Sequence, residues 1–375
     1  KGRKLFLNMI TNNIFSSLRL RQIINDLKRR PLDASKDLRL NPKTFDKYLK
    51  GKIKIDENFV RKAVKVWPVN ISDFINPKYQ KSTNYKIMRS KDSFKTKRIM
   101  KRGGKDYYEY RDTVMDRDAP FRPEWIRELV YVKSNSPNEK DLKWNRGHLL
   151  HQLTYFVGEV NFYYIDKNKK KRTAVMNTGD SMYIAPYVPH TFASRNQKCE
   201  GYIVAITFSD KITNEVQNEI LNFDKKKIKH VIFNRNFKGQ NKVTVKKFEE
   251  KQKKTKSPLH IIELAKNKII RTAKFLQINV QKNNNLNLIN NFHQYLYVLS
   301  DNFNLQIEKK NINCKKGDTI YLKPFTNYKL KKKNTKILVA QVQSIFNNEA
   351  LEQLFHIGEK NFSRLIKDNK QWFKK

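Results

Sequence analysis

Hydrophobic positions in the first eighty residues recur at helical spacing. Leu20, Ile23, Ile24 and Leu27 fall three and four apart, which predicts an amphipathic helix. Asn41-Pro42 reads as an N-cap followed by proline at the first helical position, with Phe45, Tyr48 and Leu49 on the apolar face and Gly51 past the end. Asp56-Glu57 opens a third helix carrying Phe59, Val60, Ala63, Val64 and Trp67, stopped by Pro68. Three short helices with tight turns predict a helix-turn-helix-like domain over residues 1–80. The polar, basic run Lys78 to Lys105 reads mainly as a linker.

From about residue 106 the pattern changes to strands. Tyr155 to Ile165 and Gly201 to Phe208 are aromatic and β-branched, and Asp166-Lys167-Asn168 marks a hairpin turn. Gly158, Gly179, Pro186 and Pro189 punctuate the stretch, so a small antiparallel barrel or jelly roll is expected up to about residue 210. The second half repeats the first in degraded form. Gly179-Asp180-Ser181-Met182-Tyr183-Ile184-Ala185-Pro186-Tyr187 returns as Gly317-Asp318-Thr319-Ile320-Tyr321-Leu322-Lys323-Pro324-Phe325, and His151-Gln152-Leu153-Thr154-Tyr155 as His293-Gln294-Tyr295-Leu296-Tyr297. The reading is a mixed α and β chain: a helical domain (1–80), a first barrel (81–210), a helical or linker segment (211–260), a degenerate second barrel (261–345) and a C-terminal helix (346–375).

The 375 residues are enough for several cores, and 38% hydrophobic with 12% aromatic content excludes a disordered chain. Cys199 and Cys314 form neither a disulfide framework nor a zinc spacing, so both are expected as free thiols in a reducing cytoplasm. No apolar run approaches the roughly 20 residues of a membrane helix, and Lys1-Gly2-Arg3-Lys4 leads into no signal-peptide core. Lys and Arg number 79 against 35 Asp and Glu, a net charge of +44. Such an excess suits nucleic acid, anionic substrates or acidic surfaces. The lysines are scattered over the chain, however, which favours a solvated surface over a nucleic-acid partner.

The chemistry concentrates in three residues. On a strand, side chains two and four apart share a face, so His148 and Gln152 are expected to point together into the barrel, with His151 on the opposite side. His190 follows the turn Pro186 to Pro189 on a neighbouring strand. Two histidines and one oxygen ligand on one side of a metal leave the other side open, which suits iron(II) and O2. Glu159 and Asp180 are the alternative oxygen donors; the first has the wrong strand parity and the second follows a turn glycine.

Gly147-His148, Gln152 and Gly158, followed by Gly179-Asp180 and Pro189-His190, resemble the two cupin motifs. Joined to a helix-turn-helix-like domain, they resemble the cupin phosphonate oxygenase family over residues 18–210, and the doubled cupin extends the likeness over nearly the whole chain. The resemblance implies that His148, Gln152 and His190 hold Fe(II). It also implies that Arg102, Tyr110 and Asn145 bind the phosphonate, that Tyr107 and Tyr108 line the site, and that Lys28 is donated across subunits of a homo-oligomer. A guanidinium fork with neutral donors matches a phosphonate dianion on chemical grounds. One branch of the family takes its carboxylate from six residues before the second histidine, where this chain has Ile184, which cannot ligate. The pattern resembles instead the branch in which glutamine completes the ligand set. That branch cleaves the carbon–carbon bond of 2-hydroxyethylphosphonate to give methylphosphonate and carbon dioxide or bicarbonate, without 2-oxoglutarate or nicotinamide. The alternatives are dioxygenase chemistry giving hydroxymethylphosphonate and formate, and a DNA-binding regulator that uses the helical domain.

Overall fold

The computed structural model describes residues 15–75, 83–199, 201–233, 242–248, 257–267, 270, 272–283, 286–301, 303–343 and 346–362, and divides into two units. The helical unit contains α1 (Ser17–Asp26), α2 (Pro31–Asp37), α3 (Pro42–Leu49), α4 (Glu57–Val66) and a 3-10 turn at Ile71–Phe74. The caps lie where the sequence put them: Asn41 Oδ1 accepts from the Lys43 N–H and Asp56 Oδ1 from the Phe59 N–H. Pro31–Asp37 is an additional helix, too short and polar for periodicity to find. Leu20, Ile24, Phe45, Phe59, Val60 and Trp67 form the core of this unit.

The larger unit is built of antiparallel sheets. A seven-stranded sheet holds β2 (Arg98–Arg102), β3 (Lys105–Asp112), β4 (Phe121–Glu128), β5 (His151–Val157), β8 (Ser181–Ile184), β10 (Tyr202–Phe208) and β11 (Val243–Lys246), in the order β11-β8-β5-β10-β4-β3-β2. Against it lies a three-stranded sheet, β7-β6-β9, of β6 (Val160–Ile165), β7 (Lys171–Met176) and β9 (His190–Ser194). The side chains of Phe156, Phe162, Met176, Phe192, Ile203 and Ala205 fill the space between them.

The second half repeats this plan. Strands β12 (Leu259–Glu263), β13 (Ala273–Val280), β14 (His293–Val298), β17 (Thr319–Leu322) and β19 (Thr335–Val342), with β1 (Tyr85–Met88) at one edge, form a six-stranded sheet. A small sheet of β15 (Phe303–Ile307), β16 (Lys310–Cys314) and β18 (Tyr328–Leu330) shares its core. The two large sheets bury a third core of Phe121, Tyr183, Val204, Tyr295, Tyr321 and Leu338 between their outer faces. Strand β10 is therefore covered on both faces, which is why it reads as a continuous apolar run rather than an alternation.

Two segments differ from the expected organisation. The basic stretch after residue 82 is not a linker: it forms β1, the helix α5 (Ser90–Lys95) and β2, so the chain joins the second sheet before building the first. The segment 211–260 contains helices α6 (Asn214–Leu221) and α7 (Lys225–Phe233), but also β11, which pairs with β8 in the first sheet. Of the C-terminal segment, α8 (Asn348–Ile357) is described and belongs to the helical unit; residues 363–375 lie outside the described residues.

The duplication is visible hydrogen bond by hydrogen bond. Tyr187 N–H donates to the His148 carbonyl at 2.8 Å and Phe325 N–H to the Asn290 carbonyl at 2.8 Å. His151 Nδ1 meets Tyr183 Oη at 2.8 Å, as His293 Nδ1 meets Tyr321 Oη at 2.6 Å. In the second copy the histidine position is taken by Tyr328, buried to 2% exposure, whose hydroxyl donates to Gln294 Oε1 at 3.1 Å while Gln341 Nε2 donates to the same oxygen at 3.0 Å. Gln294 has no lone pair turned to an open space. We therefore expect one metal ion per chain by elemental analysis. Tyr328→Ala should destabilise the fold by about 3 kcal/mol, measured by denaturant unfolding, without changing metal content.

Candidate metal centre

Gly147 sets the geometry. At φ +76° it occupies the left-handed region, and a Cβ there would stand 2.6 Å from the Tyr187 carbonyl carbon. Only glycine lets the chain before β5 lie against the turn before β9, and this contact carries His148 to His190. Their rings are 5.3 Å apart, centroid to centroid, and nearly perpendicular. Gly147→Ala is expected to cost at least about 1–2 kcal/mol from the backbone alone and to weaken metal binding as well; unfolding curves and a metal titration would read the two effects separately.

His148 is not on a strand, contrary to the alternation argument: β5 begins at His151, and His148 precedes it across a bend. The loop nonetheless turns its ring toward Gln152, with Nε2 3.1 Å from Oε1, and His151 faces away as expected. Each of the two histidines has its Nδ1 against a main-chain carbonyl, Leu150 O for His148 and Val188 O for His190, both at 2.8 Å. A neutral ring that donates from Nδ1 presents its Nε2 lone pair, the arrangement metal-binding histidines use. Burial, with smaller contributions from the charges of His148 and Arg102, pushes the His190 imidazole down to about 4, so it is neutral at physiological pH.

The amide of Gln152 is equally fixed. Its Nε2 donates to Thr154 Oγ1 at 2.9 Å, which turns Oε1 toward His148. Two acceptors at 3.1 Å repel unless a cation lies between them, so this set fits a metal ion. Asn145 closes the group: its Oδ1 accepts from the Gly147 and His190 N–H groups, and its Nδ2 lies 3.0 Å from His190 Nε2. Among the described residues no cluster of three His, Cys, Asp or Glu side chains suits a metal. Glu159 is engaged with Asn196 and Arg195, and Asp180 accepts from the Asn177 and Phe248 N–H groups and pairs with Lys247. Neither is available as the oxygen donor.

Of the residues expected to bind the anion, Arg102 stands on β2 and Tyr110 on β3, together with Tyr107 and Tyr108, while Asn145 lies in the loop before β5. Arg102 stacks over Tyr107 and Tyr108, at 5.2 and 4.9 Å from the ring centroids, and donates to the Lys143 carbonyl at 3.1 Å. The Tyr107 and Tyr108 hydroxyls both meet Thr191 Oγ1, at 2.8 and 3.1 Å, and tie β3 to β9 beside His190. They are buried structural members of the wall. Tyr110 is only partly buried, with Arg98 over its ring at 5.7 Å. Lys28 belongs to the other unit, where it is exposed past the end of α1 with φ +53°.

Sequence reasoning missed three residues: Thr154, Glu124 and Glu128. Strand parity was the available signal for all of them. Thr154 lies two residues beyond Gln152, and both acids share their face of β4 with Ile126, a core residue of the first barrel. Burial raises the carboxyls of Glu124 and Glu128, the latter well above the usual carboxylate range.

The fold is a set of antiparallel sheets in which two histidine rings and an amide oxygen meet near an arginine stacked on tyrosines. No family model matches the sequence. A methylphosphonate synthase from Nitrosopumilus maritimus is 34% identical over 94% of both chains. An (S)-2-hydroxypropylphosphonic acid epoxidase from Streptomyces wedmorensis is 30% identical over 28% of this chain and half of its own. Among solved structures, the Streptomyces albus 2-hydroxyethylphosphonate dioxygenase, with 2-hydroxyethylphosphonate and Fe(II) bound, superposes with a TM-score of 0.82 at 25% identity, covering 95% of this chain and 98% of that one. The chain belongs to the methylphosphonate synthase family, within the phosphonate oxygenases.

Proposed function

We propose that the protein uses Fe(II) and O2 to cleave the carbon–carbon bond of 2-hydroxyethylphosphonate, releasing methylphosphonate and carbon dioxide or bicarbonate. One molecule of substrate and one of O2 give one each of methylphosphonate, carbon dioxide and water, so the substrate supplies all the electrons. The observation that carries the reading is the oriented oxygen of Gln152 beside His148, with the purely apolar Ile184 as its partner across the sheet. In this family that combination marks the glutamine branch. His148, Gln152 and His190 would hold the iron, which would supply a Lewis-acidic centre for substrate and O2.

The other groups then act on the phosphonate. Arg102 offers a guanidinium fork. Tyr110 offers a hydroxyl. Asn145 Nδ2 lies 3.0 Å from His190 Nε2; with that ring nitrogen committed to a metal, the Asn145 N–H would be left to donate to the anion. Tyr107 and Tyr108 hold the wall, and Lys28 would arrive from a second copy in a homo-oligomer. Among the described residues no helix is long and apolar enough to cross a membrane, and the working compartment is proposed to be the cytoplasm. The test is anaerobic iron loading, addition of O2 and 2-hydroxyethylphosphonate, and phosphorus NMR of the products. Methylphosphonate is expected; hydroxymethylphosphonate with formate would move the protein to the dioxygenase reading, and no turnover at all would overturn both.

A further inference from the structure

A glutamine ligand poses a problem that a carboxylate does not. The two oxygens of a glutamate are equivalent, whereas the two ends of an amide are a lone-pair acceptor and a donor of opposite polarity. Rotating the Gln152 amide by half a turn would present an NH2 group to the metal position and abolish the ligand. Something must fix the rotation.

From these contacts we infer that Thr154 is a positioning residue whose hydroxyl oxygen selects the metal-binding orientation of Gln152. The inference rests on the proposed role of Gln152 as ligand. Thr154 is completely buried on β5, two residues from Gln152 and therefore on the same face. Its Oγ1 lies 2.9 Å from Gln152 Nε2 while Oε1 lies 3.1 Å from His148 Nε2. The cross-strand neighbours offer the amide no such contact. Ile184 is apolar, and Thr207 donates its hydroxyl to the Arg122 carbonyl. Thr154 itself is flanked across the sheet by Ala205, which has no side-chain hydrogen-bonding group, and by Met182, whose thioether is only a weak acceptor and cannot donate to it. A buried amide N–H without an acceptor is unfavourable enough to decide between two otherwise similar rotamers.

Thr154→Val keeps the shape and removes the acceptor, and Thr154→Ser restores it. Anaerobic Fe(II) titration calorimetry is the readout, with turnover as a second one. We expect Thr154→Val to weaken Fe(II) binding by roughly tenfold or more, within the range seen when an outer partner of a metal ligand is lost, and Thr154→Ser to recover to within about threefold. In a Gln152→Glu background, whose ligand needs no orientation, Thr154→Val should change affinity by less than about threefold. A purely structural threonine would give equal losses in both backgrounds, and that result, or full affinity in Thr154→Val, would overturn the inference. Gln152→Ala separates the two readings: undiminished Fe(II) affinity in that variant would remove the glutamine ligand itself, whereas lost affinity there with an unaffected Thr154→Val would remove only the role of Thr154.

Discussion

Gln152→Ala should lose Fe(II) binding and turnover together, and His148→Ala and His190→Ala should do the same. Each supplies one atom of the proposed ligand set, so the loss should exceed the 10- to 100-fold that removal of an outer partner typically costs. Gln152→Glu is the more instructive variant. The space at Oε1 accepts an oxygen of either kind, so iron should stay bound, and more tightly, because a carboxylate attracts the cation. The same negative charge now faces the incoming phosphonate. At an effective dielectric of about 20, two unit charges 4 Å apart interact by about 4 kcal/mol, so binding of the dianion should weaken by at least tenfold. Methylphosphonate formation, followed by phosphorus NMR, should fall even though iron is present. Gln152→Ala with normal iron content and normal turnover would remove Gln152 from the ligand set.

The parts of this molecule that were legible in the sequence are those fixed by local chemistry. The caps Asn41 and Asp56, Pro42 at a helix start and the apolar stripe of α1 needed no knowledge of the rest of the chain. The repeated Gly-Asp turns and the paired His151 and His293 identified two copies of one unit because the same short contacts recur in each. What was not legible depends on register and on sheet edges. Strand β2, Arg98–Arg102, is almost entirely exposed at the edge of its sheet, so it carries no alternation of apolar and polar residues and reads as linker. The pairing of His148 with Gln152 was reached by an alternation that does not apply, since the strand starts three residues later. The contact instead depends on Gly147 packing against Tyr187, a long-range fit invisible to spacing. Glu124 and Glu128 look like surface charges until β4 is placed with Ile126 facing the barrel interior.

Glu128→Gln should stabilise the protein, increasingly so as pH rises. Glu128 is fully buried, and among the described residues neither of its carboxyl oxygens has a hydrogen-bond partner. Tyr108 faces it across the sheet, and the nearby positive charge of Arg102 is too weak to offset burial, which holds the carboxyl well above the usual carboxylate range. The sign follows from proton counting. Below pH 4.5 the acid is protonated in both the folded and the unfolded chain and contributes no pH dependence. Above it the unfolded chain releases the proton while the folded chain retains it, so the folded state binds more protons and loses stability as pH rises. The loss is about 1.4 kcal/mol per pH unit across the interval in which only the unfolded chain is ionised, and it levels off once the folded-state carboxyl also ionises. Glutamine has the same shape and no proton to release, so its stability curve should lack this fall. Urea unfolding of both proteins between pH 4 and 8 would show curves that meet near pH 4 and diverge above it. Parallel curves would mean that Glu128 is ionised in the folded protein and paired there.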